Sequence, residues 1–249
     1  MARLEPHLDR ARIYLEPFVG GGSVALAVAQ RYADLEIVLA DADPNVADFW
    51  SVLIGCEATF LRLLRLLQVP PCMSMGHRVR HHLTRDPFLR AYQCLFINRV
   101  TFSGGVFNTG LLARGTGDGI RARYNAADLA RCMIAARAAL RGRTTVHSMD
   151  VMYSLHLPFD VVYLDPPYIA HGANIYRASM CEHQHRVLGD TLKRLRRPWL
   201  LSYDDQPLVR DLYQGCRIET VSVPHWVRRT MKRKKRVELL IEPTGGGAQ

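Results

Sequence analysis

The sequence predicts an α/β protein: a mostly parallel sheet with a mainly helical insertion after its second strand. Three observations predict it. Short apolar runs, among them Ile37-Val38-Leu39-Ala40 and Phe159-Asp160-Val161-Val162-Tyr163-Leu164, read as buried strands, and stretches of helical periodicity separate them. Three such runs end on an acid, Glu16, Asp41 and Asp165, at what would be the carboxyl edge where open α/β sheets hold ligands. Hydrophobic residues make up 48% of 249, enough for one sizeable core.

Strand, glycine turn and helix occupy about 13–31. Tyr14-Leu15-Glu16-Pro17-Phe18-Val19-Gly20-Gly21-Gly22-Ser23 places glycines where the backbone can approach a ligand, followed by a helix start with free N–H groups. The turn lacks the spaced dinucleotide fingerprint, which argues against a nicotinamide or flavin. The second strand, about 36–41, ends at Asp41, ~20 residues past the glycines, where a carboxylate can accept from the hydroxyls of a ribose. Asp41 and Asp43 also suit helix capping, because Pro44 fits the first position of a helix over about 44–55; one acid on a ribose and the other as cap is a further possibility.

Residues of about 56–100 read as helical, broken at Pro70-Pro71, with Phe60–Leu67 and Phe88–Ile97 the clearest helices. A loop of about 101–125 and a helix of about 126–141 follow. Thr144-Thr145-Val146-His147 is a short strand leading to Asp150, for which capping is one reading. After the strand ending at Leu164 come a helix around 182–196, the strand Trp199-Leu200-Leu201-Ser202 and a short helix of about 206–214. Two closing strands, about 217–223 and 236–242, and a glycine-rich tail expected to be disordered complete the chain.

Asp165-Pro166-Pro167-Tyr168 carries the most chemistry. For a planar amine, the carboxylate accepts one hydrogen bond, the Pro166 carbonyl accepts another, and the Tyr168 ring stacks on the plane. The plain alternative is a strand ending in a proline turn with a surface tyrosine.

Taken in order, these segments resemble the Dam-type DNA adenine-N6 methyltransferases of the class alpha motif order. Glu16-Pro17-Phe18-Val19-Gly20-Gly21-Gly22 is similar to their S-adenosylmethionine turn, and Asp41 to their ribose-binding acid. Asn98-Arg99-Val100-Thr101-Phe102-Ser103-Gly104-Gly105-Val106-Phe107-Asn108 resembles their target-recognition signature, and Asp165-Pro166-Pro167-Tyr168 their catalytic motif. Ser202-Tyr203-Asp204-Asp205 and Val237-Glu238-Leu239-Leu240-Ile241 extend the resemblance to about residue 241. The resemblance implies a Rossmann-like catalytic domain over 1–55 and 126–249, with a target-recognition insertion over 56–125. It implies transfer of a methyl group from S-adenosylmethionine to adenine N6 in double-stranded DNA, with the base flipped out of the duplex. The cofactor residues would be Tyr14, Glu16, Pro17, Phe18, Gly20, Gly22, Ser23, Asp41, Asp150 and Asp165; the DNA-binding residues would be Arg99, Ser103, Phe107, Asn108, Arg123, Arg228, Arg229 and Lys232. Phe107 or Tyr203 would support or replace the extruded base. Family members usually begin with an aromatic and Gly-Gly-Lys segment over the cofactor, whereas this chain begins Met1-Ala2-Arg3, so the methionine end of the pocket is expected to be open or covered by another segment. The recognition segment is also shorter than in the best-known members. Cytosine-N4 methylation, methylation of RNA or protein glutamine, and a catalytically impaired DNA-binding relative are the alternatives.

The net charge of +10 and pI near 9.6 agree with a polyanionic partner. Arg228-Arg229-Thr230-Met231-Lys232-Arg233-Lys234-Lys235-Arg236, between two strands, would grip phosphates without reading sequence. Six scattered cysteines without Cys-x-x-Cys spacing read as thiols in a reducing compartment, and Cys72 with His77, His81 and His82 has no standard metal spacing, so no metal is expected. No apolar stretch reaches the ~20 residues of a membrane span and no signal peptide is visible, so a cytoplasmic protein is expected, with a restriction endonuclease as a conceivable partner.

Overall fold

Among the described residues seven strands form one sheet around β1 (Ile13–Glu16), a short run whose side chains are buried on both faces. In chain order the others are β2 (Glu36–Asp41), β3 (Thr144–Ser148), β4 (Val161–Leu164), β5 (Trp199–Asp204), β6 (Arg217–Val223) and β7 (Arg236–Glu242). Their order across the sheet is β3-β2-β1-β4-β5-β7-β6. The first five are parallel, and β7 runs antiparallel between β5 and β6, a placement the sequence left open. The computed structural model describes residues 2–101, 111–112, 119–121, 123–169, 178–223 and 236–244.

Local chemistry sets the helix boundaries. Glycine turn and helix α2 (Ser23–Arg31) follow β1, preceded in the chain by the single turn α1 (Glu5–Leu8). Helix α3 (Pro44–Ile54) starts at Pro44 and is capped by Asp43, which accepts from the Asn45 amide at 2.9 Å. Helices α4 (Glu57–Leu67), α5 (Met73–His81) and α6 (Pro87–Val100) follow, with Pro70 and Pro71 between the first two. Asp86 caps α6 as Asp43 caps α3, again before a proline. Helix α7 (Ala126–Leu140) is capped by Asn125, and the turn α8 (Val151–Ser154) by Asp150. Helices α9 (Glu182–Arg194) and α10 (Pro207–Leu212) follow.

Alternation along the strands divides the core in two. Tyr14, Ile37, Leu39, Tyr163 and Leu200 face α2, α3, α6 and α7, while Leu15, Val162, Leu164, Leu201 and Tyr203 face α9 and α10. Helix α6 lies on α3 within the first of these cores, joined to it by a buried amide pair: Asn45 Nδ2 donates to Gln93 Oε1 at 2.9 Å, and Gln93 Nε2 donates to the carbonyls of Val79 and His82. Among the described residues no helix is long and apolar enough to cross a membrane, and no cluster of three or more His, Cys, Asp or Glu side chains could hold a metal. None of the six cysteines is in a disulfide, and Cys94 is buried.

Candidate active site

Strand order reverses between β1 and β4. Chains leave their carboxyl ends in opposite directions there, which opens a crevice at the rim of the sheet. A cavity of about 620 Å³ occupies it. One wall is the glycine turn with Glu16, Phe18 and Ser23; another is Asp41 and Asp43 after β2, with Asp150 after β3; a third is Tyr163, Asp165 and Pro167 after β4. The far wall comes from α3, α6 and α7, including Trp50, Asn98, Arg99 and Met133.

The turn is tied at each corner. Gly20 and Gly22 have φ of +42° and +65°, a left-handed backbone that side chains beyond glycine rarely adopt. The Gly20 amide donates to Asp41 Oδ2 at 3.0 Å, and the Gly20 carbonyl accepts from Trp50 Nε1 at 3.0 Å. A Cβ on Gly22 would stand 2.3 Å from the Trp50 ring, so the indole packs directly against the turn. The Asp41 carboxylate also accepts from the Asp43 amide at 2.9 Å. Burial lifts Asp41 to about 6, although both backbone N–H bonds pull it down. Asp41 therefore holds the turn and faces the cavity, while Asp43 and Asp150 cap α3 and α8 from cavity-lining positions.

Glu16 is 3% exposed and accepts from the Tyr14 hydroxyl at 2.5 Å. Burial raises its carboxyl to about 8; the Tyr14 bond opposes this and the Asp165 charge reinforces it. Asp165 stands at the exposed rim, where Ser202 Oγ donates to its Oδ1 at 2.8 Å. Behind it the loop is fastened by the Ile169 amide, which donates to Asp204 Oδ1 at 3.4 Å.

The structure thus brings Glu16, Phe18, Gly20, Gly22, Ser23, Asp41, Asp150 and Asp165 to one cavity, with Arg99 at its far side. Tyr14 and Pro17 are buried beneath it; Tyr14 reaches it only through Glu16. Pro166 is buried, and Tyr168 is half-buried against the core on the α9 face. Burial and the nearby Arg123 charge both weaken the hold of Arg99 on its proton, and its Nε has no hydrogen-bond partner among the described residues; Arg123 is exposed and donates to the Thr101 carbonyl at 3.0 Å. Tyr203 is withdrawn as a partner for an extruded base: it is 1% exposed and bonded to His185 on the α9 face. Ser103, Phe107, Asn108, Arg228, Arg229 and Lys232 lie outside the described residues.

Sequence reasoning passed over Trp50 and Tyr163. Val46, Trp50 and Leu53 carry helical spacing, which marks Trp50 as core; its contact with a turn 30 residues earlier is a tertiary fact. Chemically, the arrangement offers a partly apolar cavity lined by both a glycine turn and the Asp165 carboxylate.

A family model described as D12 class N6 adenine-specific DNA methyltransferase matches residues 1–230. The chain is 24% identical to a DNA adenine methylase of Escherichia coli (strain K12), across 96% of this chain and 88% of that protein. It is 25% identical to a DNA adenine methylase of Salmonella typhi with the same coverage, and 24% identical to one of Vibrio cholerae serotype O1 (strain ATCC 39315 / El Tor Inaba N16961), across 96% and 89%.

Proposed function

This chain belongs to the D12 class of N6 adenine-specific DNA methyltransferases, and we propose that its switch-point cavity binds S-adenosylmethionine at the glycine turn and receives a flipped adenine at Asp165. The enzyme is a DNA adenine methylase and requires a methyl donor. The adenine specificity of the family sets aside the cytosine, RNA and protein alternatives.

The observation that carries the reading is the shared cavity: the glycine turn and Asp165 line one space of about 620 Å³, within the usual range for cofactor sites. The residues fit the donor. Gly21 has nothing within 4 Å of an added Cβ and Gly20 only the Phe18 carbonyl at 4.0 Å, so this part of the turn admits close backbone approach. Asp41 would accept from the ribose hydroxyls with its remaining lone pairs, Glu16 and Phe18 would line the middle of the cofactor, and Asp150 would meet the adenine amino group. S-adenosylmethionine supplies an electrophilic methyl group and thereby the hard chemistry.

The protein's task is the nucleophile. An exocyclic amine shares its lone pair with the purine ring. Hydrogen bonds from N6–H to the Asp165 carboxylate and to the Pro166 carbonyl hold the nitrogen so that its lone pair turns toward the methyl group. The proton leaves N6 after transfer, so Asp165 need not be a strong base. A base stacked and paired inside a duplex cannot present N6 to Asp165 and the donor together, hence flipping, with Tyr168 as stacking partner. Arg99 and Arg123 would take phosphates, as would Arg228, Arg229 and Lys232, and helices α4 to α6 with the chain up to residue 125 would form the recognition insertion.

Asp165→Ala tests the reading. Methyl transfer should fall by roughly 10²- to 10³-fold or more while duplex binding persists. Normal turnover by a folded Asp165→Ala protein would refute it.

A further inference from the structure

The Asp165 carboxylate stands one residue past the end of β4. Pairing of β4 with β5 sets Leu164 opposite Leu201, and one step further Asp165 comes level with Ser202 on the same face of the sheet. Ser202 Oγ donates to Asp165 Oδ1 at 2.8 Å, and the Tyr163 hydroxyl lies 2.9 Å from Ser202 Oγ. Proton counting fixes the direction of this chain. An ionised carboxylate only accepts, and a serine hydroxyl has one proton, already given to Asp165. Tyr163 must then donate to Ser202. Burial pushes the Tyr163 phenol far up, so it stays protonated and keeps donating.

We propose that Ser202 is a positioning residue for methyl transfer: with Tyr163 behind it, its hydroxyl locks the plane of the Asp165 carboxylate against the incoming amine. The inference rests on the reading that Asp165 receives N6. The final torsion of an aspartate is broad and roughly two-fold, so a bond from a fixed hydroxyl narrows the planes its carboxylate can sample. Ser202 sits on a strand with every residue buried, and Tyr163 on another, so the lock is built from the most rigid part of the sheet. Both hydroxyls lie on the same face of the sheet as Tyr14 and Glu16, whose own hydroxyl–carboxylate bond is on that face too. The lock acts on geometry and not on affinity, so its loss should appear in turnover alone.

The test is a set of full-length variants assayed for kcat, KM for the methyl donor, duplex binding and thermal melting. Ser202→Ala should lower kcat roughly ten- to hundredfold, the worth of one hydrogen bond to a charged group, with KM and duplex binding unchanged. Ser202→Thr, which keeps a hydroxyl, should restore most of the loss, and Tyr163→Phe should lie between. Wild-type kcat in Ser202→Ala, beside an inactive Asp165→Ala, overturns the lock and leaves the Asp165 reading standing. An active, folded Asp165→Ala overturns that reading itself. Equal losses in Ser202→Ala and Ser202→Thr that track a lowered melting temperature mean a merely structural serine, and overturn the lock as well. If Ser202→Ala does not fold, Ser202→Cys and Tyr163→Phe carry the question, and unchanged kcat in both overturns the proposal.

Discussion

Glu16 is held in a state that water would not choose. Its folded pKa of about 8 lies above the ordinary 4.5, so the folded protein favours the protonated acid. Stability from this preference is complete below about pH 4.5 and is lost as pH rises toward 8, because there the unfolded chain gives up a proton that the fold retains. Asp41 adds a decline of the same sign between 3.8 and about 6. Melting curves from pH 5 to 8.5 should therefore show a falling midpoint for the free protein and a flatter profile for Glu16→Gln; parallel profiles would show that Glu16 is not the group responsible. Gly22 makes a second residue-scale case. An alanine there meets both a left-handed φ of +65° and the Trp50 ring at 2.3 Å, and the backbone strain alone is about 1–2 kcal/mol. Gly22→Ala should lose donor binding by calorimetry while keeping its far-UV spectrum, and unchanged binding would show that the turn tolerates a side chain there. Motif residues such as Asp165, Asp41 and the glycines were legible in the sequence because their chemistry is local. The support that Trp50, Ser202 and Tyr163 lend them was not, since each acts on a residue brought near only by the fold.

Element positions were the most legible level. Asp43-Pro44 announces a helix start by capping chemistry that needs no tertiary partner, and the structure places α3 there; α6 and α7 were legible from periodicity, while their caps, Asp86 and Asn125, show only in the structure. What joins those elements was not legible. Gln93 reads as one polar residue in a helix, yet it is buried and bridges α3, α5 and the turn after α5. Gln93→Leu would leave the Asn45 amide and two carbonyls without their partner, at about 1–3 kcal/mol for each group that water cannot reach. Chemical denaturation should register a loss of that order or more; a neutral result would mean solvent fills the gap. Arg137 plays a similar part for α7, donating to the carbonyls of Leu53 and Gly55 at the end of α3 and stacking on Phe60 of α4.

Across the whole molecule, the sheet's parallel half follows from the alternation of strands and helices, while its order at the β5 side does not follow from any local signal. Net charge belongs to this scale too. With +10 overall, duplex affinity should fall steeply as salt rises. Removing Arg228, Arg229 and Lys232 together should weaken all sequences alike and reduce the logarithmic salt slope by about 0.9 for each phosphate that is no longer neutralised. An unchanged slope would take that segment off the DNA.

The position of β7 has a consequence for synthesis. A chain emerging from the ribosome has β5 and β6 before residues 236–242, yet among the described strands β6 has no neighbour but β7, and the β5 edge stays uncovered until β7 slots beside it. Every nascent copy passes through an interval with an open, largely apolar strand edge, the feature that invites pairing with another chain. Truncation after residue 235 makes that interval permanent, and such a product should partition into inclusion bodies while the chain through residue 249 does not.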